Sequence, residues 1–228
     1  TQKMILPLRN HYFQMDQNNQ FHFSNFFSDT GIFDSLFENT TYAWEAILKI
    51  DEFILNFRNS SLSEGFTEIS DGVFIGKNVE IDSDAKIVGR AIICDGATVG
   101  HSAYLRAGVL IGENVKVGHA TEVKHSIILS GSKLAHLNYI GDSIIGSNVN
   151  VSGSATLANW RFDKKEIEIR TGEQKIPTGM EKFGSVIGDD SFIGVNAVLN
   201  PGTILGKKTL VYPLVAVKGV HASSETIK

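Results

Sequence analysis

Between Arg106 and Asn159 the chain places a set of side chains that could do chemistry: Arg106, Lys124, His136, Tyr139, Asn150 and Asn159. Arg106 and Lys124 could jointly hold an anion, because a guanidinium suits a bidentate grip on phosphate. They could equally be two solvated surface charges. His136 and Tyr139 lie in "LAHLNYIGDS", Leu134 to Ser143, where small turn residues would be expected. A neutral imidazole there could take a proton near neutral pH, or it could be a plain residue at a turn. Which reading holds depends on the elements that carry these residues.

Those elements follow a beat of six. From Ile75 the residues Ile81, Ile87, Ile93, Val99, Leu105, Ile111, Val117, Val123 and Leu129 are all aliphatic. Two positions before each lies a smaller residue, such as Ala91, Ala97 or Ala103. The beat resumes at Ile187, Ile193, Leu199, Leu205, Val211 and Val217, and Gly often follows it. This period fits neither an amphipathic helix nor a plain alternating strand. It predicts a β-solenoid, in which each hexad is a short strand plus a tight corner and the aliphatic residues stack into a continuous core. The stretch Leu134 to Ser143 reads as its irregular corner. In a triangular coil, residues eighteen apart, such as Arg106 and Lys124, stack one rung apart on the same side.

Residues 1–68 do not keep the beat. Trp44, Ile47, Ile50, Phe53, Ile54 and Phe57 have helical spacing, with Thr40 or Thr41 as N-cap. "GIFDSLF" predicts a further short helix. This aromatic-rich segment is expected to pack on the first coil as a cap over the open end. Residues 69–228 then form the solenoid, interrupted by a long charged loop over 159–184. The alternation in "EIEIR" predicts a small hairpin within that loop. Its Arg161, Lys164 and Lys165 give positive charge suited to phosphate, so the loop is expected to cover the site.

Composition narrows the class. The formal net charge is -4, which argues against a nucleic-acid partner. No apolar run approaches the roughly 20 residues of a membrane span. The N-terminus shows no signal-peptide pattern, so a cytoplasmic location is expected. The single Cys94 forms no internal disulfide and no cysteine zinc site. No metal cluster is evident, and no metal is expected.

The stretch from Arg106 to Asn159 resembles the acetyltransferase half of bifunctional enzymes that make UDP-N-acetylglucosamine. The motif E-x-K is met by Glu122 and Lys124, G-S-K-x-x-H-L-x-Y-x-G-D by Gly131 to Asp142, and G-x-N-V-N by Gly146 to Asn150. "NWRFD" and "KFGSVIGDDSFIGVNAVLNPG" look closer to the archaeal-type branch. The resemblance covers roughly residues 70 to 219. It implies an all-β fold, a left-handed parallel β-helix of hexapeptide repeats with the N-terminal helical cap and one loop insertion. It also implies acetyl-CoA as co-substrate, an amino-sugar 1-phosphate such as glucosamine-1-phosphate as acceptor, and a homotrimer with sites between prisms. By the same resemblance His136 is the base and Asn159 helps orient the amine. Arg106, Lys124, Tyr139 and Asn150 hold the sugar phosphate.

The sequence departs from that family in three respects. The nucleotidyltransferase half is absent from this chain, so a separate nucleotidyltransferase partner is one expectation. The family's G-A-G-T run reads Ser152-Gly153-Ser154-Ala155-Thr156, and Val195 stands where bacterial enzymes carry a small polar residue near the acyl donor. These changes bear on the acyl-donor site more than on the sugar site. They leave two alternatives: a non-catalytic sugar-phosphate-binding or regulatory homologue, and an acyltransferase acting on a nucleotide sugar.

Overall fold

The hexads fold as short strands joined by tight corners in the computed structural model, which describes residues 19–228. The strands stack into three sheets of nine, eight and seven strands, parallel but for one edge strand, here called faces A, B and C. One coil visits them in turn: Ala91–Ile93 on A, Thr98–Val99 on B, Tyr104–Leu105 on C, then Val109–Ile111 on A again. Thr67–Ser70, the edge strand of face A, runs antiparallel to Val73–Ile75. The beat residues Ile93, Val99, Leu105, Ile111 and Val117 point inward and are at most 1% exposed. Stacked apolar layers of this kind give the core of the prism.

The beat does not break where the sequence suggested. Leu134 and Ile140 keep it, and both are fully buried in the coil core. The contraction lies at two corners between faces C and A. There Val123 is followed by Ile128 and Ile140 by Ile145, each one residue early. Leu129, expected to point inward, instead lies outside the coil core, in a buried cluster with residues of the N-terminal segment such as Phe33 and Trp44. Regular corners on this edge turn through glycine, as at Gly108 with φ 77° and Gly202 with φ 80°. The shortened corners turn through His125 at φ 44° and Asp142 at φ 46°. His and Asp enter the left-handed region more readily than most non-glycine residues, so these corners can turn without glycine and carry a side chain.

The N-terminal segment lies along face A. Phe57 meets Phe74 on the first coil, which agrees with a cap there, but the contact continues far beyond it. Outward residues of face A are apolar at every rung: Phe74, Ile92, Leu110, Ile127, Ile144, Val186 and Ile204. Phe21, Phe33, Phe37, Trp44, Ile47 and Ile54 of the N-terminal segment pack in one buried cluster with them, joined by Ile167, Ile169 and Phe183 of the insertion. Asp189 ties the segment to later coils by accepting from the Ser28 N–H at 2.7 Å. Burying each such side chain contributes about 1.5–3 kcal/mol, so face A is part of the core. Cys94 sits beneath this layer, outside the coil, and burial pushes its thiol pKa up.

The predicted helices form, with a 3-10 turn Ala43–Lys49 leading into the α-helix Ile50–Phe57. The N-cap of the 3-10 turn is Tyr42 rather than Thr40 or Thr41, and Glu45 holds this start by accepting from the Thr41 and Tyr42 N–H groups at 2.7 and 3.1 Å. The stretch "GIFDSLF" gives Gly31–Phe33 and the helix Asp34–Phe37. Residues 1–18 of the expected cap lie outside the described residues. Within the long insertion Glu168–Thr171 pairs antiparallel with Gln174–Pro177, the predicted hairpin. Among the described residues no helix is long and apolar enough to cross a membrane.

Candidate active site

The edge between faces C and A carries a polar cluster spread over consecutive rungs. Leu105 is in register with Val123, and Val123 with Ile140, so Arg106, Lys124 and Gly141 follow one another up the edge. The coil spacing expected for Arg106 and Lys124 is therefore met. Both cations already have carboxylate partners within the chain. Arg106 donates to Glu122 at 2.9 Å, and Lys124 Nζ donates to both oxygens of Asp142 at 2.8 Å. Glu122 and Asp142 both stand in the motifs read from the sequence, where neither is assigned a role. The signal was present, because Asp142 lies one coil spacing beyond Lys124.

Asp142 is the hub of this edge and is only 4% exposed. It also accepts a bond from Asn159 Nδ2. His125 Nδ1 lies 3.4 Å from its other oxygen, while His125 Nε2 faces Asp51 of the N-terminal helix at 3.9 Å. Burial by itself would push the Asp142 carboxyl up. The bonds from His125, Lys124 and Asn159 outweigh it and hold the group below the usual carboxylate range. Tyr139 is half-buried on face C, with its hydroxyl on the same side of Gly141 as Asn159 Nδ2. Its phenol is pushed up by burial and by the nearby charges of Asp142 and Glu122. Gly141 makes this packing feasible: a Cβ there would stand 2.6 Å from the Tyr139 hydroxyl and 2.7 Å from Asn159 Nδ2.

His136 lies elsewhere, at the edge between faces B and C. It ends the strand Lys133–His136, is exposed, and is in register with His119 on the rung before. His119 in turn stacks on His101 with ring centroids 5.2 Å apart. On the following rung is Gly153, where a Cβ would come within 2.6 Å of His136 Nε2, so the ring rests on bare backbone. By strand register Val195 is the next residue along this edge. Asn150 is on face B, its Nδ2 donating to Ser152 Oγ at 3.3 Å. One chain therefore gathers Arg106, Lys124, Tyr139 and Asn159 at one edge and leaves His136 and Asn150 at another. Among the described residues no hydrogen bond joins His136 to Tyr139.

The insertion leaves the solenoid at Asn159 and returns at Phe183, whose N–H donates to the Asn159 carbonyl at 2.9 Å. The hairpin then folds over the rung of Gly202, where a Cβ would meet Ile167 at 2.9 Å. That is beyond the rung of Asp142 and away from Lys124. Arg161 is engaged by Asp163 at 2.6 Å, and Lys164 lies 5.9 Å from the Trp160 ring centroid. The root of the loop, Asn159, is the part that meets the polar cluster. A group not expected from sequence is Asp82, Asp84 and His101, whose ligand atoms lie within 4.8 Å of one another near the start of the B–C edge. All three are exposed, and Asp84 is already bonded by the Ser102 N–H and hydroxyl at 2.9 and 2.8 Å.

A triangular parallel β-helix of hexads, with polar side chains lining its edges, defines the hexapeptide-repeat class of proteins. Residues 87–216 match the family model described as the GMPPB C-terminal domain, and on that match, more than half of its length, the chain belongs to this family. It is 37% identical over 173 residues to a bifunctional sugar-1-phosphate nucleotidylyltransferase/acetyltransferase of Sulfurisphaera tokodaii, covering 73% of this chain and 43% of that protein. It is 34% identical over 170 residues to the bifunctional protein GlmU of Methanococcus vannielii, covering 74% and 41%. The GlmU of Clostridioides difficile is 35% identical over 150 residues, covering 66% and 27%. The chain thus spans less than half the length of each of these relatives.

Proposed function

We propose that this protein is an acetyl-CoA-dependent N-acetyltransferase acting on an amino-sugar 1-phosphate, as in nucleotide-sugar synthesis. The observation that carries the reading is the C–A edge. There Arg106, Lys124, Tyr139 and Asn159 occupy neighbouring rungs, with both cations held in place by carboxylates. In this reading Arg106 and Lys124 receive the phosphate, Tyr139 and Asn150 bind the sugar, and Asn159 orients the amine. His136 acts as general base. A sugar ammonium is no nucleophile until it loses a proton, and an imidazole can take it. The freed amine then attacks the thioester carbon of acetyl-CoA. The C–S bond breaks and CoA leaves as the thiol after gaining a proton. Backbone N–H groups would stabilise the oxyanion.

The separation of the two edges bears on assembly. His136 and the Lys124 cluster would complete one site if the B–C edge of one prism met the C–A edge of another. A closed homotrimer does this three times over, and face A, clad by the chain's own N-terminal segment, stays outside the contact. The acyl donor would run along the B–C edge. Val195 is 48% and Leu214 78% exposed beyond Gly153, and these apolar surfaces suit the pantetheine arm. The same residues keep one other reading alive, a sugar-phosphate-binding homologue without acetyl transfer. Incubation with acetyl-CoA and either glucosamine-1-phosphate or galactosamine-1-phosphate, followed by mass analysis of the sugar, separates them. An acetylated product with release of free CoA thiol supports the enzyme, and unreacted sugar with measurable binding supports the alternative.

A further inference from the structure

Asn159 Nδ2 donates to a carboxylate, Asp142, that is only 4% exposed and is held ionised by its neighbours. An ionised carboxylate only accepts hydrogen bonds. The amide of Asn159 must therefore turn its NH₂ inward, and its orientation is dictated by its partner. Asn159 Nδ2 also lies beside the Tyr139 hydroxyl, the two standing 2.7 and 2.6 Å from where a Cβ on Gly141 would be. Two groups remain with no other partner among the described residues: Asn159 Oδ1, which accepts, and the Tyr139 O–H, which donates. Both residues are part-exposed at the mouth of the cluster. Asp142 also occupies Lys124 Nζ with both its oxygens at 2.8 Å, in the place where an incoming phosphate would bind.

From this geometry we infer that Asp142 is a positioning residue that sets the hydrogen-bonding polarity of the substrate site. It fixes an acceptor, Asn159 Oδ1, for the N–H of the amino group and a donor, the Tyr139 hydroxyl, for a sugar oxygen. At the same time it restrains Lys124 and tempers the affinity for phosphate. Selection for an amine over a hydroxyl at the reacting carbon then follows. A hydroxyl can offer one hydrogen to Asn159 Oδ1, whereas an amine or ammonium still offers one when it has given another elsewhere. The inference rests on the acetyltransferase reading above, but its core concerns binding.

The test compares glucosamine-1-phosphate with glucose-1-phosphate, which shares the phosphate and lacks the amine. In Asp142→Asn the new amide can donate, so Asn159 is free to flip and Lys124 is released. Acetylation of glucosamine-1-phosphate should fall about tenfold or more in kcat. Affinity for glucose-1-phosphate should hold or rise, since Lys124 is no longer restrained. A merely structural role for Asp142 predicts that both fall together, and that result overturns the inference. Gly141→Ala is the second variant, in case Asp142→Asn fails to fold. It displaces Tyr139 and Asn159 without changing charge, and should lower kcat and narrow the preference for glucosamine-1-phosphate over glucose-1-phosphate. Wild-type turnover in either variant also overturns the inference. If the wild type binds both sugar phosphates but transfers no acetyl group, the enzyme reading falls. Calorimetry then decides this one: the preference for the amino sugar should be lost in Asp142→Asn. Binding of neither sugar phosphate by the wild type overturns both.

Discussion

Lys124→Ala separates a surface cation from a buried ion pair. If Lys124 only waited for phosphate, its loss would leave folding untouched. The structure instead shows it covering a carboxylate whose side chain is 6% exposed, while its own is 22% exposed. Removing one member of a buried pair costs about 3–5 kcal/mol. His125 and Asn159 remain as partners, and the lysine is partly solvated, so about 2–4 kcal/mol is expected here. For a chain of this size that lowers the melting temperature by roughly 5–15 °C. The pH dependence has a definite sign. Asp142 is held below its unfolded value, so its ion pair contributes stability that is fully present above about pH 3.9. The contribution is lost as pH falls through the lower folded value. The gap between wild type and Lys124→Ala should therefore be widest near neutral pH and close in acid. Thermal melts at both pH values, extended to Asp142→Asn and the double variant, give the coupling energy. A coupling under about 0.5 kcal/mol at neutral pH refutes the argument, because it would make this a solvated pair.

His136→Ala should cut acetyl transfer about 10²-fold or more while glucosamine-1-phosphate affinity changes little, as read by steady-state kinetics and calorimetry. Because the ring is exposed and the main-chain bond from the Ser154 N–H to the His136 carbonyl survives, its melting temperature should stay within about 2 °C. Trp44→Ala, at a side chain 1% exposed between the N-terminal segment and the coils, should cost about 3–5 kcal/mol in chemical denaturation. Light scattering at micromolar concentration should show three chains per particle, and a fully active monomer would exclude a shared site. Replacing residues 163–180 by a short turn should bare the Gly202 rung and lower thermal stability. Sugar-phosphate affinity should stay within about twofold, because the hairpin docks beyond the Asp142 rung.

The sequence by itself determined the solenoid, because an aliphatic residue every sixth position has one economical use, a stacked inward column. It also located the insertion and its hairpin, through loss of the beat and the alternation in "EIEIR". The motif residues were legible by type and spacing, and the rung-to-rung neighbourhood of Arg106 and Lys124 followed from the coil length. The apolar outer surface of face A was legible too, though easily missed. A hydrophobic residue precedes the beat on every third hexad, as at Phe74, Ile92, Leu110 and Ile127. Periodicity marks such positions as buried but does not say what buries them, and that contact with the N-terminal segment is a tertiary choice. Tertiary structure also decided the two shortened corners. Val123 to Ile128 and Ile140 to Ile145 each have two adjacent aliphatic residues competing for one inward place, and only the backbone turn at His125 and Asp142 selects between them. The same turn carries Asp142 out of solvent and under Lys124, Asn159 and His125. The charge state and bonding direction of that cluster depend on burial and distance, which no residue's type or spacing contains.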